Sequence, residues 1–154
     1  MKIGDLAPVF KGFTTSNQEF DLSDNKGKWI VLYFYPKDDT SGCTKEASGF
    51  RDNMQRISTY NAEIVGVSPD SVKSHDKFKE KYMLNFTIVS DPEKTICNLY
   101  GVIGEKSMYG KKYLGVNRST FIINPEGVIS YLWEKVKVDG HVEEVINKLQ
   151  ELQN

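Results

Sequence analysis

Apolar residues gather along this chain into short blocks of two kinds. The stretch Lys28 to Pro36, KWIVLYFYP, is continuously apolar and rich in β-branched and aromatic side chains. That is the pattern of a strand buried on both faces, and Pro36 stops it. AEIVGVSP and FTIVSD repeat the pattern in shorter form. Between these blocks the apolar positions recur at helical spacing. From Thr44 to about Tyr60, the side chains Ala47, Phe50, Met54 and Ile57 fall on one helix face. SVKSHDKFKEKYM predicts a second, largely polar helix with Val72, Phe78 and Tyr82 available to pack. PEKTICNLYGV predicts a third, with Pro92 near its start and Gly101 as its C-cap.

The opening GDLAPVFKGFTTSNQEFDLSD predicts short extended pieces and a turn, and GEKSMYGKKYLGVN reads as a loop rich in Gly and Lys. RSTFIINPEGVISYLWE predicts two strands joined by a turn at 124–127. GHVEEVINKLQELQN closes the chain as a helix with Val142, Val145, Ile146, Leu149 and Leu152 on its apolar side. Strands alternating with helices, then a hairpin and a last helix, predict an α/β class with a mixed central sheet flanked by helices. A thioredoxin-like fold is compatible with that order. No repeat or linker interrupts the 154 residues, so one domain over 1–154 is expected.

Charge narrows the function. Lys and Arg total 20 against 21 Asp and Glu, a formal net charge of −1, which argues against a general nucleic-acid binder or an anionic-membrane binder. The N-terminal MKIGDLAPVF lacks the apolar stretch of a signal peptide, and no window has the length of a membrane span. A cytoplasmic location is the expectation, and two cysteines are too few for a disulfide scaffold.

One of those cysteines is out of place for packing. In FYPKDDTSGCTKEASGF, Cys43 lies among aspartates, threonines and lysine, between the strand's end and the start of the first helical pattern. A thiol in the first turn of a helix meets unpaired N–H groups and the positive end of the helix dipole, which favour thiolate, the nucleophilic form. Thr40, three residues upstream, can turn its hydroxyl toward the sulfur or a bound oxygen. Glu46 falls on the same helical face as Cys43. A thiolate beside that carboxylate calls for a cation between them, and Arg118, at the start of RSTFII, is the candidate. Cys97, beside Ile96 on a predicted helix, reads as a packing cysteine.

Other chemistries find less support. Cys43, His75, Cys97 and His141 show no ligand-pair spacing, so no metal or cofactor is expected, and the two histidines read as surface or capping residues. No glycine-rich phosphate loop occurs. A Cys-x-x-Cys pair is absent because position 46 is Glu, and a Cys-x5-Arg phosphatase loop is absent because position 49 is Gly.

The assembled residues resemble the peroxiredoxin family. The match is Pro36-x-x-x-Thr40-x-x-Cys43, Glu46 three positions on, and Arg118 in NRSTFI. More narrowly, FYPKDDTSGCTKEASGFRD, GVSPDSVKSHDKF, EKSMYGKKYLGVNRSTFIINPEG and WEKVKVDGH resemble the bacterioferritin comigratory protein, or PrxQ, subfamily over nearly the whole chain. The resemblance implies a thioredoxin-like fold and a thiol peroxidase acting on hydrogen peroxide and organic hydroperoxides. It implies Cys43 as the peroxidatic cysteine, with Thr40 hydrogen-bonding peroxide and sulfur. Arg118 would stabilise the thiolate and polarise the oxygens, Pro36 would shield the site from water, and Glu46 would orient the arginine.

This chain departs from the subfamily in carrying Ser41 where many members have proline. It also lacks the resolving cysteines that members place at positions matching Ser48 or Lys79. A one-cysteine cycle follows as the expectation, in a monomer recycled by thioredoxin, glutaredoxin or a small thiol. The rival readings are a thioredoxin-like disulfide reductase and a peroxide-sensing or thiol-dependent binding module with slow turnover.

Overall fold

A computed structural model describes residues 1–154. The chain runs through β1 (Lys11–Thr14), β2 (Glu19–Asp21), β3 (Trp29–Phe34), α1 (Ser41–Asp52), α2 (Met54–Ser58), β4 (Ala62–Ser68) and α3 (Val72–Tyr82). It continues through β5 (Thr87–Ser90), α4 (Thr95–Leu99), β6 (Ile103–Met108), β7 (Lys111–Val116), β8 (Ser119–Ile123), β9 (Ile129–Trp133) and α5 (His141–Gln153).

β3 is central because its side chains are apolar on both faces. Ile30, Leu32 and Phe34 enter one buried cluster, and Val31, Tyr33 and Tyr35 enter the other. This is the alternation a pleated strand imposes. Seven strands pair in the order β2-β1-β5-β4-β3-β8-β9. β3, β4 and β5 run parallel, whereas β8 lies antiparallel to β3 and β1 antiparallel to β5, so the sheet is mixed. The layers follow from the two clusters. α1, α2, α3 and α5 supply Ala47, Phe50, Ile57, Phe78, Val145, Ile146 and Leu149 to one face. α4 supplies Ile96 and Cys97 to the other.

Two consequences position the site. β3 ends beside the start of α1, so the connecting segment, residues 35–40, delivers Cys43 to the C-terminal end of this central strand. The antiparallel partner β8 begins at Ser119, which pairs with Phe34, and this register sets Arg118 next to the same segment.

The structure departs from the sequence expectations in three places. The helix expected from Thr44 to Tyr60 starts earlier, at Ser41, and breaks at Asn53, which leaves helical geometry at φ −114° and ψ 10°. The stretch expected to be a loop, GEKSMYGKKYLGVN, is mostly the β6–β7 hairpin, turned at Tyr109 and Gly110, both at positive φ. A two-residue turn of that hand matches the twist of paired strands. His75 and His141, expected at the surface or as caps, are both buried. His75 completes the apolar stripe of α3 with Phe78, and His141 hydrogen-bonds Thr120 Oγ1 through Nε2 at 2.8 Å.

Close packing on the α1 face yields a stability prediction. A Cβ at Gly66 in β4 would lie 3.0 Å from the Tyr33 ring, itself stacked among Tyr35, Phe50 and Phe86. Tyr33 has no free side to move into. Gly66→Ala is therefore expected to destabilise by about 1–3 kcal/mol, the usual range for overpacking. The check is a lowered urea midpoint at unchanged m-value.

Candidate active site

Cys43 occupies the first turn of α1, with Thr40 as the N-cap residue. Its side chain is buried, with the residue 2% exposed. The guanidinium of Arg118 spans two acceptors: Nη2 donates to Cys43 Sγ at 3.2 Å and Nη1 donates to Glu46 Oε1 at 2.7 Å. Gly42 makes room for it, since a Cβ there would stand 3.3 Å from Nη2. Cys43 and Glu46 from α1 and Arg118, one residue before β8, thus meet around one guanidinium. The planar guanidinium can serve sulfur and carboxylate together because its N–H donors form a fixed fork.

Burial dominates the electrostatics. Glu46 is buried beneath the helix start, and desolvation raises its carboxyl to about 7 against the opposing pull of Arg118. Partial burial works against the charge of Arg118, but Glu46 and Cys43 outweigh it and hold the guanidinium above its ordinary value. Two buried polar atoms have no hydrogen-bond partner in the protein, Glu46 Oε2 and the Tyr33 hydroxyl. Burial, then the charges of Glu46 and Cys43, push the Tyr33 phenol well upward. From the β6–β7 hairpin, Lys106 is lowered by desolvation and then by Arg118, while Cys43 pulls it the other way. Neither Tyr33 nor Lys106 stood out in the sequence, where one is hidden in an apolar run and the other in a lysine-rich stretch.

Thr40 lies near but faces elsewhere. Its hydroxyl donates to the Lys37 carbonyl at 2.8 Å and makes no cap bond to α1. Pro36 is half-buried at the start of the same segment. Cys97 is fully buried on the opposite face of the sheet, and desolvation, then Asp91, push its thiol well upward. It has the setting of a packing residue.

A second polar cluster lies behind the segment. Ligand-type atoms of Asp38, Asp70 and His75 come within 4.8 Å of one another. Their atoms are engaged in hydrogen bonds: Asp38 accepts from Tyr35 and Ser74 and shares a hydrogen bond with the His75 ring, and Asp70 Oδ2 accepts from Ser68 and the Asp38 amide. The set fits a hydrogen-bond network better than a metal centre.

Comparison with known proteins identifies the family. Residues 3–132 match the AhpC/TSA family model. The peroxiredoxin Bcp of Bacillus subtilis is 45% identical over 152 residues, covering 99% of this chain and 97% of the relative. A PrxQ structure from Xylella fastidiosa superposes with a TM-score of 0.95 at 41% identity, covering 100% of this chain and 98% of that one. A yeast mitochondrial 1-Cys peroxiredoxin, described with a thiol-resolving mechanism via glutathione/thioredoxin systems, superposes with a TM-score of 0.84 at 26% identity, covering 99% of this chain and 76% of that one. With a thioredoxin-like sheet, a family match over most of its length and relatives of one kind, the chain belongs to the AhpC/TSA family and is a thiol peroxidase of the Bcp/PrxQ group.

Proposed function

We propose that Cys43 is the residue that reacts with peroxide and that the chain works by a one-cysteine cycle. The observation that carries this reading is the 3.2 Å contact between Arg118 Nη2 and Cys43 Sγ at the start of α1. The Cys43 thiolate attacks one peroxide oxygen, the O–O bond breaks, and the departing oxygen takes a proton to leave as water or an alcohol. Cys43 is left as a sulfenic acid. Arg118 stabilises the thiolate and the charge that develops on the leaving oxygen. Glu46 holds the guanidinium in the plane that serves both. Pro36 screens the sulfur from solvent, and Thr40 hydrogen-bonds the peroxide after its hydroxyl turns from the Lys37 carbonyl.

Recycling follows from where the thiols are. Cys43 and Cys97 belong to clusters on opposite faces of the sheet. A disulfide needs Cα atoms within about 7 Å, and opposed layers stand farther apart than that. An outside thiol therefore condenses with the sulfenic acid, releasing water, and a second thiol frees Cys43 as the mixed disulfide is exchanged. Thioredoxin, glutaredoxin or a small thiol would supply both, acting on a monomer. The disulfide-reductase reading loses support because no second cysteine accompanies Cys43.

Three outcomes are expected. Cys43→Ser abolishes peroxide consumption and Cys97→Ser keeps most of it; substantial turnover by the first variant ends the proposal. After one equivalent of peroxide, non-reducing peptide mapping with a sulfenic-acid trap finds an adduct on Cys43, whereas a dominant Cys43–Cys97 peptide would show an internal cycle. Arg118→Met slows peroxide oxidation by about 100-fold or more, the usual scale for removing an electrostatic donor, with the far-ultraviolet circular dichroism unchanged.

A fourth concerns pH. Because the Glu46 carboxyl is raised to about 7, the folded chain holds more protons than the unfolded one between its ordinary value of 4.5 and about 7. Stability from this group is fully present below that window and is lost as pH rises through it. The loss is at most roughly 3 kcal/mol. Glu46→Gln cannot ionise, so wild type loses stability relative to the variant from pH 5 to pH 8 in urea titrations. A difference that stays flat would mean the carboxyl ionises as an ordinary glutamate.

A further inference from the structure

The segment that carries Pro36 and Thr40 to Cys43 is fastened to α3 in an unusual way. Between them lies an open groove of about 420 Å³, lined by Asp39, Ser71, Ser74, Lys77 and Lys81, with Phe78 the one apolar contributor. At its start the segment packs through the Tyr35 ring against Phe78, with centroids 6.2 Å apart, and beyond Pro36 polar links hold it. One link is exposed: Asp39 bonds Lys81 and Tyr82. Exposed pairs of this sort contribute little and weaken with salt.

The other link is buried. His75 is fully buried, and the Asp38 side chain is 4% exposed. Asp38 Oδ2 meets His75 Nδ1 at 2.6 Å and accepts from the Ser74 hydroxyl at 2.8 Å, while Oδ1 accepts from the Tyr35 hydroxyl at 2.6 Å. On the far side His75 Nε2 lies 3.2 Å from the carbonyl of Val89 in β5. A carbonyl can only accept, so Nε2 donates there, and a further proton lies between Nδ1 and Oδ2. The Asp38 amide is held as well, donating to Asp70 Oδ2 at 2.8 Å. Asp38 is thereby joined through His75 to the central sheet, five residues before Cys43.

Cys43 itself is 2% exposed. A peroxide is small, but a second thiol carried by a larger molecule cannot reach the sulfur unless the first turn of α1 opens. We propose that the buried Asp38–His75 pair is a latch: it holds residues 36–40 and the Cys43 turn in the closed, peroxide-reactive form, and its loosening favours the open form that a reducing thiol needs. Both residues are positioning residues that act through the segment, without touching the sulfur. The proposal rests on Cys43 being the reacting thiol.

The test uses Asp38→Asn and His75→Gln, singly and together, in the full chain. Stopped-flow measurement gives the rate of peroxide oxidation, and hydrogen exchange with mass spectrometry gives the opening of residues 41–46. For each variant, oxidation is expected to slow about 10-fold, while exchange at 41–46 rises about 10-fold and exchange in β3 and β4 stays as in wild type. The double variant should be no worse than the single ones, since either change undoes the same link. Loss of rate without faster exchange at 41–46, exchange that rises everywhere alike, or no change in either quantity overturns the latch. If a variant fails to fold, Ser74→Ala removes one of the donors to Asp38 and should move both quantities in the same directions to a smaller extent; no movement there also overturns it. Exchange is read without peroxide, so a wild-type chain whose Cys43 proved unreactive would end the proposed function while the latch was still measured.

Discussion

A single guanidinium links the parts of this site that come from different elements. Arg118 stands at the entry to β8, and Cys43 and Glu46 stand one turn apart on α1. No backbone hydrogen bond joins those two elements, so their relation depends on each packing against β3. The antiparallel β3–β8 register fixes one, and the 35–40 segment fixes the other. A slip of the register would take Arg118 away from the sulfur and leave Glu46 as a buried carboxylate without a cation. The strand pairing therefore sets the geometry of this site as well as the stability of the fold.

The setting of Arg118 also shows how the site handles charge. A sulfur anion and a carboxylate a helical turn apart repel each other, and burial penalises both. The cation between them offsets the repulsion but serves the carboxylate at a shorter distance than the sulfur. The carboxyl raised to about 7 is the residue of that compromise: even with Arg118 beside it, desolvation wins.

Much of this could be read from the residues. β3 was legible because a run of apolar side chains without alternation has few places to go but the middle of a sheet. Cys43 was legible because its polar neighbours made no sense for a core. The family resemblance supplied what periodicity could not, the partnership of Arg118 with positions 75 and 72 residues earlier in the chain. What escaped has physical reasons. The β6–β7 hairpin carries exposed, mostly polar side chains outside the main sheet, so it lacks the apolar alternation that marks a half-buried strand. His75 and His141 were read by their polar neighbours, yet His75 and Phe78 share a stripe, as do His141, Val145 and Leu149. That spacing was the available signal of burial. The direction of the Thr40 hydroxyl depends on a local choice of rotamer that no pattern along the chain records.

The partnerless oxygen of Glu46 carries a consequence for anyone who would improve this protein. A buried acid with one oxygen unanswered is a place where the fold is held below its attainable stability, and a selection for heat resistance alone would be drawn to position 46. Substituting an apolar side chain there relieves the desolvation and leaves Arg118 free to swing toward solvent. On the proposed role of Arg118, variants enriched by such a selection would be hardier and slower to react, so a library for thermostability should keep this position fixed.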